Sequence, residues 1–191
     1  MSTLQGKKIR LETQILNSGE QLDIFCEKCK SLGYQNNQSL HAMKFDWVLE
    51  NGGIWHCVLN EKQEIVSLAG CHPLPEVNNN AWRVQFRGVQ LPQDYGTGLS
   101  KYFMSSLIWR LILPYQLEFL AKEYNNTNEI YVSTTKIDNS GLMARIHKMF
   151  FILEKLNLVE KYADMNLFFT DQTVWKLNTK KYLEVRSNLN N

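Results

Sequence analysis

The stretch from Trp82 to Ser100 constrains this chain more than any other. Trp82, Val84 and Phe86 alternate with Arg83, Gln85 and Arg87, the period of a strand with one buried face. After Gly88 the apolar positions are Val89 and Leu91, so the alternation slips by one residue. A glycine at such a slip points to a β-bulge, and a bulge bends a strand away from its neighbour. Gly96 and Gly98 come next, followed by apolar positions four apart at Leu99, Phe103, Leu107 and Leu111, which predict a helix. The glycines let several backbone N–H groups face one point, and a helix N-terminus adds partial positive charge there. A strand that splays and then opens into a phosphate-sized nest describes the cleft of a phosphorylated coenzyme.

The remaining composition excludes several classes. A chain of 191 residues fits one domain with a sizeable core, and 44% hydrophobic with 21% charged residues is ordinary for a globular protein. A net charge of +2 argues against a nucleic-acid surface, and Lys7-Lys8 and Lys180-Lys181 read as solvated. The start, Met1 to Lys8, is polar and shows no secretory signal. The most apolar helix-length stretch, Leu107 to Leu113, contains Arg110, so no membrane span is expected. Cys26 and Cys29 fall in a helical stripe with Leu22, Phe25 and Leu32, which predicts free thiols in a core. Cys57 and Cys71 are too far apart to complete a zinc site, and no metal is expected. Reduced thiols place the chain in the cytoplasm as an expectation.

Along the chain, Ile9 to Leu16 reads as a strand, and Ser18-Gly19-Glu20-Gln21 has the form of a capping box that opens a helix ending at Gly33. Ser39 to Glu50 reads as a second helix closed by Gly52-Gly53. Ile54 to Leu59 and Glu64 to Cys71 read as strands, His72 to Asn80 as a loop, and Ala81 to Leu91 as the bulged strand. Pro114 must break the long helix or restart it. Glu129 to Ile137 is strand-like. Asn139-Ser140 offers an N-cap to a helix that buries Leu142, Ile146, Met149, Leu153 and Leu156. Asn166 to Thr170 and Thr173 to Leu177 read as a hairpin around Asp171-Gln172, with residues 179–191 as a tail. Mixed order of this kind predicts one α/β (α+β) domain, a sheet with helices on both faces.

That element order, with a glycine turn after the fourth strand, resembles the GNAT superfamily of acetyl-coenzyme A-dependent acyltransferases over about residues 9–178. The superfamily's pyrophosphate loop, [RQ]-x-x-G-x-[GA], is met by Gln93, Gly96 and Gly98. A second register, Leu91-Pro92 leading to Tyr95-Gly96-Thr97-Gly98-Leu99-Ser100, puts Gly98 at the helix start and is preferred. The resemblance implies a mixed, mostly antiparallel sheet, splayed between the fourth and fifth strands. It implies acetyl-CoA as co-substrate, bound by Val89, Leu91, Tyr95, Gly96, Thr97, Gly98, Leu99 and Ser100, with Asn139 on the pantetheine arm. Leu153-Glu154-Lys155-Leu156-Asn157-Leu158 resembles the family's tyrosine-glutamate-lysine-leucine-glycine-phenylalanine ending. Leu153 stands where the family often has the tyrosine that protonates the leaving thiolate, and Asn157 replaces its glycine. A P-loop is absent. A Rossmann fingerprint fails at Lys101, and Glu118 has the spacing of its acidic residue but falls in helical sequence.

The implied reaction is transfer of an acetyl group to a primary amine of a small molecule or peptide, by direct attack on the thioester. A backbone N–H, at Val89, would polarise the carbonyl, and the arm would add to the strand edge as an extra strand. Candidates for proton transfer are His72 and Glu76 in the loop before the bulged strand, and His147 beside the apolar stripe of the later helix. Tyr102 fits the core, while Arg83 and Arg87 could meet an acidic acceptor or pair with a neighbouring carboxylate. A non-catalytic coenzyme-binding module and a transferase of longer acyl chains fit the same residues. A monomer and a homodimer are both compatible with this sequence.

Overall fold

The computed structural model describes residues 2–4, 7–12, 20, 23–24, 48, 50–59, 65–84, 88–89, 112–136, 141–167 and 170–189, with the backbone alone at 2–4, 7–12, 57–59, 65–68, 88–89, 141–146 and 188–189. The elements in chain order are β1 (Ser2–Leu4), β2 (Lys7–Glu12), β3 (Ile54–Leu59), β4 (Ile65–Pro73), β5 (Trp82–Val84), β6 (Gly88–Val89), α1 (Leu113–Tyr124), β7 (Ile130–Thr135), α2 (Gly141–Lys155), β8 (Val159–Leu167), β9 (Thr170–Leu177) and α3 (Thr179–Leu189). They fall in two compact units, one of Met1–His72 with Gln85–Gln116, the other of Pro73–Val84 with Leu117–Asn191.

In the first unit β1, β2, β3 and β4 pair antiparallel in sequence order, and β6 adds to β4 through Ser67↔Val89 and Leu68↔Gly88. The first strand expected at Ile9 begins earlier, at Lys7, and pairs with a preceding strand that the apolar pattern did not reveal. Glu20, Asp23 and Ile24 are helical, as the capping box predicts, and all three are exposed. The glycine pair at 52–53 ends a helical segment as expected. Gly52 adopts φ +74°, and the Gly53 N–H reaches back to the Val48 carbonyl at 2.7 Å. That reach is the six-to-one bond of a Schellman cap, and the left-handed position before it suits glycine. Gly53 is held for a second reason: a Cβ there would lie 2.6 Å from both the Cys71 carbonyl oxygen and Val48 Cγ1. Trp55 is fully buried on β3, and its ring lies 3.2 Å from where a Cβ on Gly70 would sit.

In the second unit the strand order is β5-β7-β9-β8. β5 and β7 are parallel; the other two pairs are antiparallel. β9 lies inside this array and reads as a buried run from Gln172 to Trp175, whereas β8, at the edge, is exposed over most of its length. The expected hairpin is therefore displaced. β8 starts at Val159, and Asp171 and Gln172 lie within β9 opposite Asn166 and Met165 rather than at a turn. β8 carries an extra residue at Tyr162, between the pairs Lys161↔Trp175 and Ala163↔Val174. Leu74, Ala81, Tyr131, Leu167 and Val174 form one buried cluster. On α2 the buried ring is Phe150, stacked on Trp175 at 5.2 Å. Leu156, expected on the buried stripe, is exposed because the helix has ended at Lys155. Pro114 is the second residue of α1, and the helix expected before it, over residues 99–111, lies outside the described residues. Residues 179–189, expected as a tail, form α3, capped by the Asn178 side chain accepting from Lys181 N–H at 3.1 Å.

The asparagines of the His72–Asn80 stretch act as ties. Asn78 Oδ1 accepts from the Asn80 N–H, the Asn80 carbonyl accepts from Asn126 Nδ2, and Asn126 Oδ1 accepts from the Glu129 N–H. The Glu129 carboxylate accepts from Asn78 Nδ2 at 2.9 Å, from the Tyr131 hydroxyl at 2.7 Å and from the Lys176 ammonium. These bonds, those from Lys176 and Tyr131 above all, hold its pKa down to about 2.

Gly53→Ala should lower stability by about 1–3 kcal/mol, the usual cost of forcing an extra carbon into a packed site, and chemical denaturation measures it. Glu129→Gln should cost about 1.5–3 kcal/mol at pH 7, the worth of bonds to a charged group. Because Glu129 titrates below its ordinary 4.5 when folded, its contribution is complete above pH 4.5 and disappears as pH falls toward 2. The stability gap between wild type and this variant should therefore close over that window in acid denaturation.

Candidate functional site

One of the three sequence-predicted proton-transfer residues sits differently from expectation. His72 lies on β4, not in a loop, and is fully buried. The strand runs on through Pro73, since the loop's polar character begins only after Leu74. Glu76 is exposed in the turn that follows, where Val77 N–H bonds the Leu74 carbonyl at 3.0 Å. His147 is on α2, half-buried, with Nε2 3.1 Å from the Thr135 carbonyl oxygen at the end of β7. Val89 is in β6. Leu91, Tyr95, Gly96, Thr97, Gly98, Leu99, Ser100 and Asn139 lie outside the described residues, as do Arg87, Tyr102, Cys26 and Cys29.

Within the stretch read as a single bulged strand, the described residues form two short strands, β5 and β6, and residues 85–87 between them lie outside the described residues. Trp82 and Arg83 pair with Ile130 and Tyr131 of β7, whereas Gly88 and Val89 pair with Leu68 and Ser67 of β4. The one-sided burial predicted for the first half is not observed: Trp82, Arg83 and Val84 are all buried. Arg83 Nη2 donates to Gln172 Oε1 at 3.1 Å. The same oxygen accepts from the Ser133 hydroxyl, and Gln172 Nε2 donates to the Leu167 carbonyl and to Thr170 Oγ1, both at 2.9 Å. All four bonding positions of the Gln172 amide are thus used. Arg83 is therefore a core cation rather than a surface hook for an acceptor.

Among the buried titratable groups that the sequence reading did not single out are His56 and Cys71. Burial pushes the His56 imidazole down to about 4, so it stays neutral on β3. Burial likewise pushes the Cys71 thiol up to about 12, which leaves it a weak nucleophile. An alternation count extended from Ile54 marks Trp55 as inward, but the strand buries His56 as well. A cleft of about 520 Å³ opens beside Glu154, Glu160, Lys176, Asn178 and Thr179. None of the predicted site residues lines it. Among the described residues no group of three His, Cys, Asp or Glu side chains could hold a metal ion. No described helix is long and apolar enough to cross a membrane.

The family-like ending of α2 is realised in an unusual residue. Asn157 adopts φ +57°, its N–H bonds the Glu154 carbonyl at 2.9 Å, and the Leu158 N–H bonds the Leu153 carbonyl at 2.9 Å. This is a Schellman cap with asparagine in the left-handed position usually given to glycine. Leu153 is half-buried and offers no proton.

No family model matches the sequence, and no curated protein does. Solved structures do. An acetyltransferase of the GNAT family from Staphylococcus aureus Mu50 is 17% identical, with 90% of this chain and 99% of that one covered at a TM-score of 0.50. A chimera of the spermidine N-acetyltransferase SpeG from Vibrio cholerae and hSSAT is 13% identical, with 92% and 98% covered at 0.50. The Vibrio cholerae spermidine N-acetyltransferase in complex with CoA and spermine is 12% identical, with 92% and 98% covered at 0.49. The chain has the fold of GNAT-family acetyltransferases.

Proposed function

We propose that this protein is an N-acetyltransferase that moves an acetyl group from acetyl-CoA to a primary amine of a small molecule or peptide. The observation that carries this reading is the glycine loop Tyr95-Gly96-Thr97-Gly98-Leu99-Ser100, which follows in the chain on β5, paired with β7, and β6, paired with β4. The shared fold supports it. In this reading the loop N–H groups take the diphosphate, and the pantetheine arm pairs with the backbone near Val89 and Leu91 and with Asn139. The Val89 N–H polarises the thioester carbonyl as charge develops on its oxygen. The attacking nitrogen must lose a proton, and His72, Glu76 and His147 are the candidates. The thiolate leaves without a side-chain acid at Leu153. No metal, nucleic acid or membrane enters the reaction, and a cytoplasmic location fits it.

One observation favours a second reading, a coenzyme-binding module without turnover. The position that resembles the family's proton donor is Leu153, which has none to give. Thiol release from acetyl-CoA with a panel of amines separates the two readings, and turnover with any amine ends the second. Comparing acetyl with long-chain thioesters in the same assay fixes the acyl group.

Acetyl-CoA at about one hundred times its Kd should raise stability by about 2.7 kcal/mol, read as a rise in Tm. Gly98→Val should abolish that rise by keeping the phosphates from the backbone. An unchanged Tm with millimolar acetyl-CoA would sink the proposal, and a normal rise in the valine variant would displace the loop from the site.

A further inference from the structure

The cleft of about 520 Å³ lies wholly within the second unit, and every residue lining it is described with its side chain. Two helix ends of opposite polarity meet there. α2 closes beside it with Glu154 and Asn157, and α3 opens from it with Thr179 and Lys180. A helix carries partial negative charge at its C-terminus and partial positive charge at its N-terminus. The side chains add the same signs. Glu154 and Glu160 stand with the end of α2, and Lys180 is in the first turn of α3. The other cation of the lining, Lys176, lies opposite Glu160 in the ladder but is taken by Glu129. The Glu160 and Lys180 side chains have no ion pair or hydrogen bond among the described residues.

The start of α3 holds further unused donors. Asn178 caps the helix: its Oδ1 accepts from the Lys181 N–H at 3.1 Å, and its carbonyl accepts from the Tyr182 N–H at 2.9 Å. The Thr179 and Lys180 N–H groups come before these, and no described residue accepts from them. Thr179 is only 7% exposed, and its Oγ1 has no hydrogen-bond partner. A buried hydroxyl left unpaired is destabilising, and this one belongs to a residue in the wall of the cleft. Two backbone donors, a hydroxyl and an ammonium at a helix N-terminus suit a carboxylate. An ion of a single sign would be drawn to one wall and repelled by the other. A molecule that carries both signs complements both walls, and the volume is that of a small-molecule site.

We propose that this cleft binds a free α-amino acid, with its carboxylate at the start of α3 and its ammonium at Glu160 and Glu154. The carboxylate accepts from the Thr179 hydroxyl, from the two free N–H groups and from Lys180. The ammonium donates to the carboxylates on the other wall, where the Lys161 N–H anchors Glu154 at 3.1 Å. The site is independent of the acetyltransferase reading.

Calorimetric titration without acetyl-CoA tests it, with the free L-amino acids added one at a time at millimolar concentration. At least one should bind. Its N-acetyl derivative lacks the ammonium and its primary amide lacks the carboxylate. Each should bind about ten-fold more weakly or worse, the worth of a bond to a charged group. Thr179→Val and Glu160→Gln should weaken the parent amino acid to a similar degree. In ¹H–¹⁵N spectra of the wild type, the bound amino acid should shift the Thr179 and Lys180 amides. Binding by none of the amino acids overturns the proposal. So does a derivative that binds as well as its parent, or unchanged affinity in both variants. Wild-type shifts that fall elsewhere overturn it too, whether or not the variants fold.

Discussion

A carboxylate can accept several hydrogen bonds at once, and the second unit is assembled around one that does. Glu129 gathers Asn78 from the turn after β4, Tyr131 from β7 and Lys176 from β9. Its backbone works as well: the carbonyl accepts from Trp82 N–H at 2.8 Å, and the N–H donates to Asn126. One residue thus sets where β5 begins, where β7 begins and how the connecting turn lies. The burial of Leu74, Ala81 and Tyr131 in one cluster depends on that alignment. Such convergence is useful because each bond to an ionised group outweighs a bond between neutral partners.

Much of this was legible in the amino-acid sequence where a local rule decides the outcome. Gly52-Gly53 had to end a helix because a left-handed residue and a close approach coincide there, and both are seen. What stayed hidden was set by residues far away in the chain. Arg83 looks like a surface cation beside Gln85 and Arg87, and it is buried because Gln172, 89 residues on, supplies a neutral acceptor with every other bond satisfied. His72 looks like a loop residue because proline follows it, yet β4 runs through that proline. The extent of β8 was missed because its exposed residues carry no apolar rhythm.

The candidate site divides along the same line. Phosphate recognition is a backbone property, so glycine spacing announces it. Proton transfer depends on how each side chain is held, and no spacing announces that. His147 was visible only as a histidine next to an apolar stripe. The Thr135 carbonyl turns it into an oriented group. Asn157 makes the complementary point: a residue that departs from the family's usual glycine still serves the same turn, because the left-handed conformation is open to asparagine too.

β8 ends the strand order of the second unit, and an open margin of nine residues invites a stranger to zip onto it. This one is defended. The supernumerary Tyr162 breaks the rhythm of its free amides, and Lys161 and Lys136 clasp Asp164 at 2.9 and 2.8 Å, crowding the rim with charge. That flank is therefore poorly suited to strand addition by a second copy.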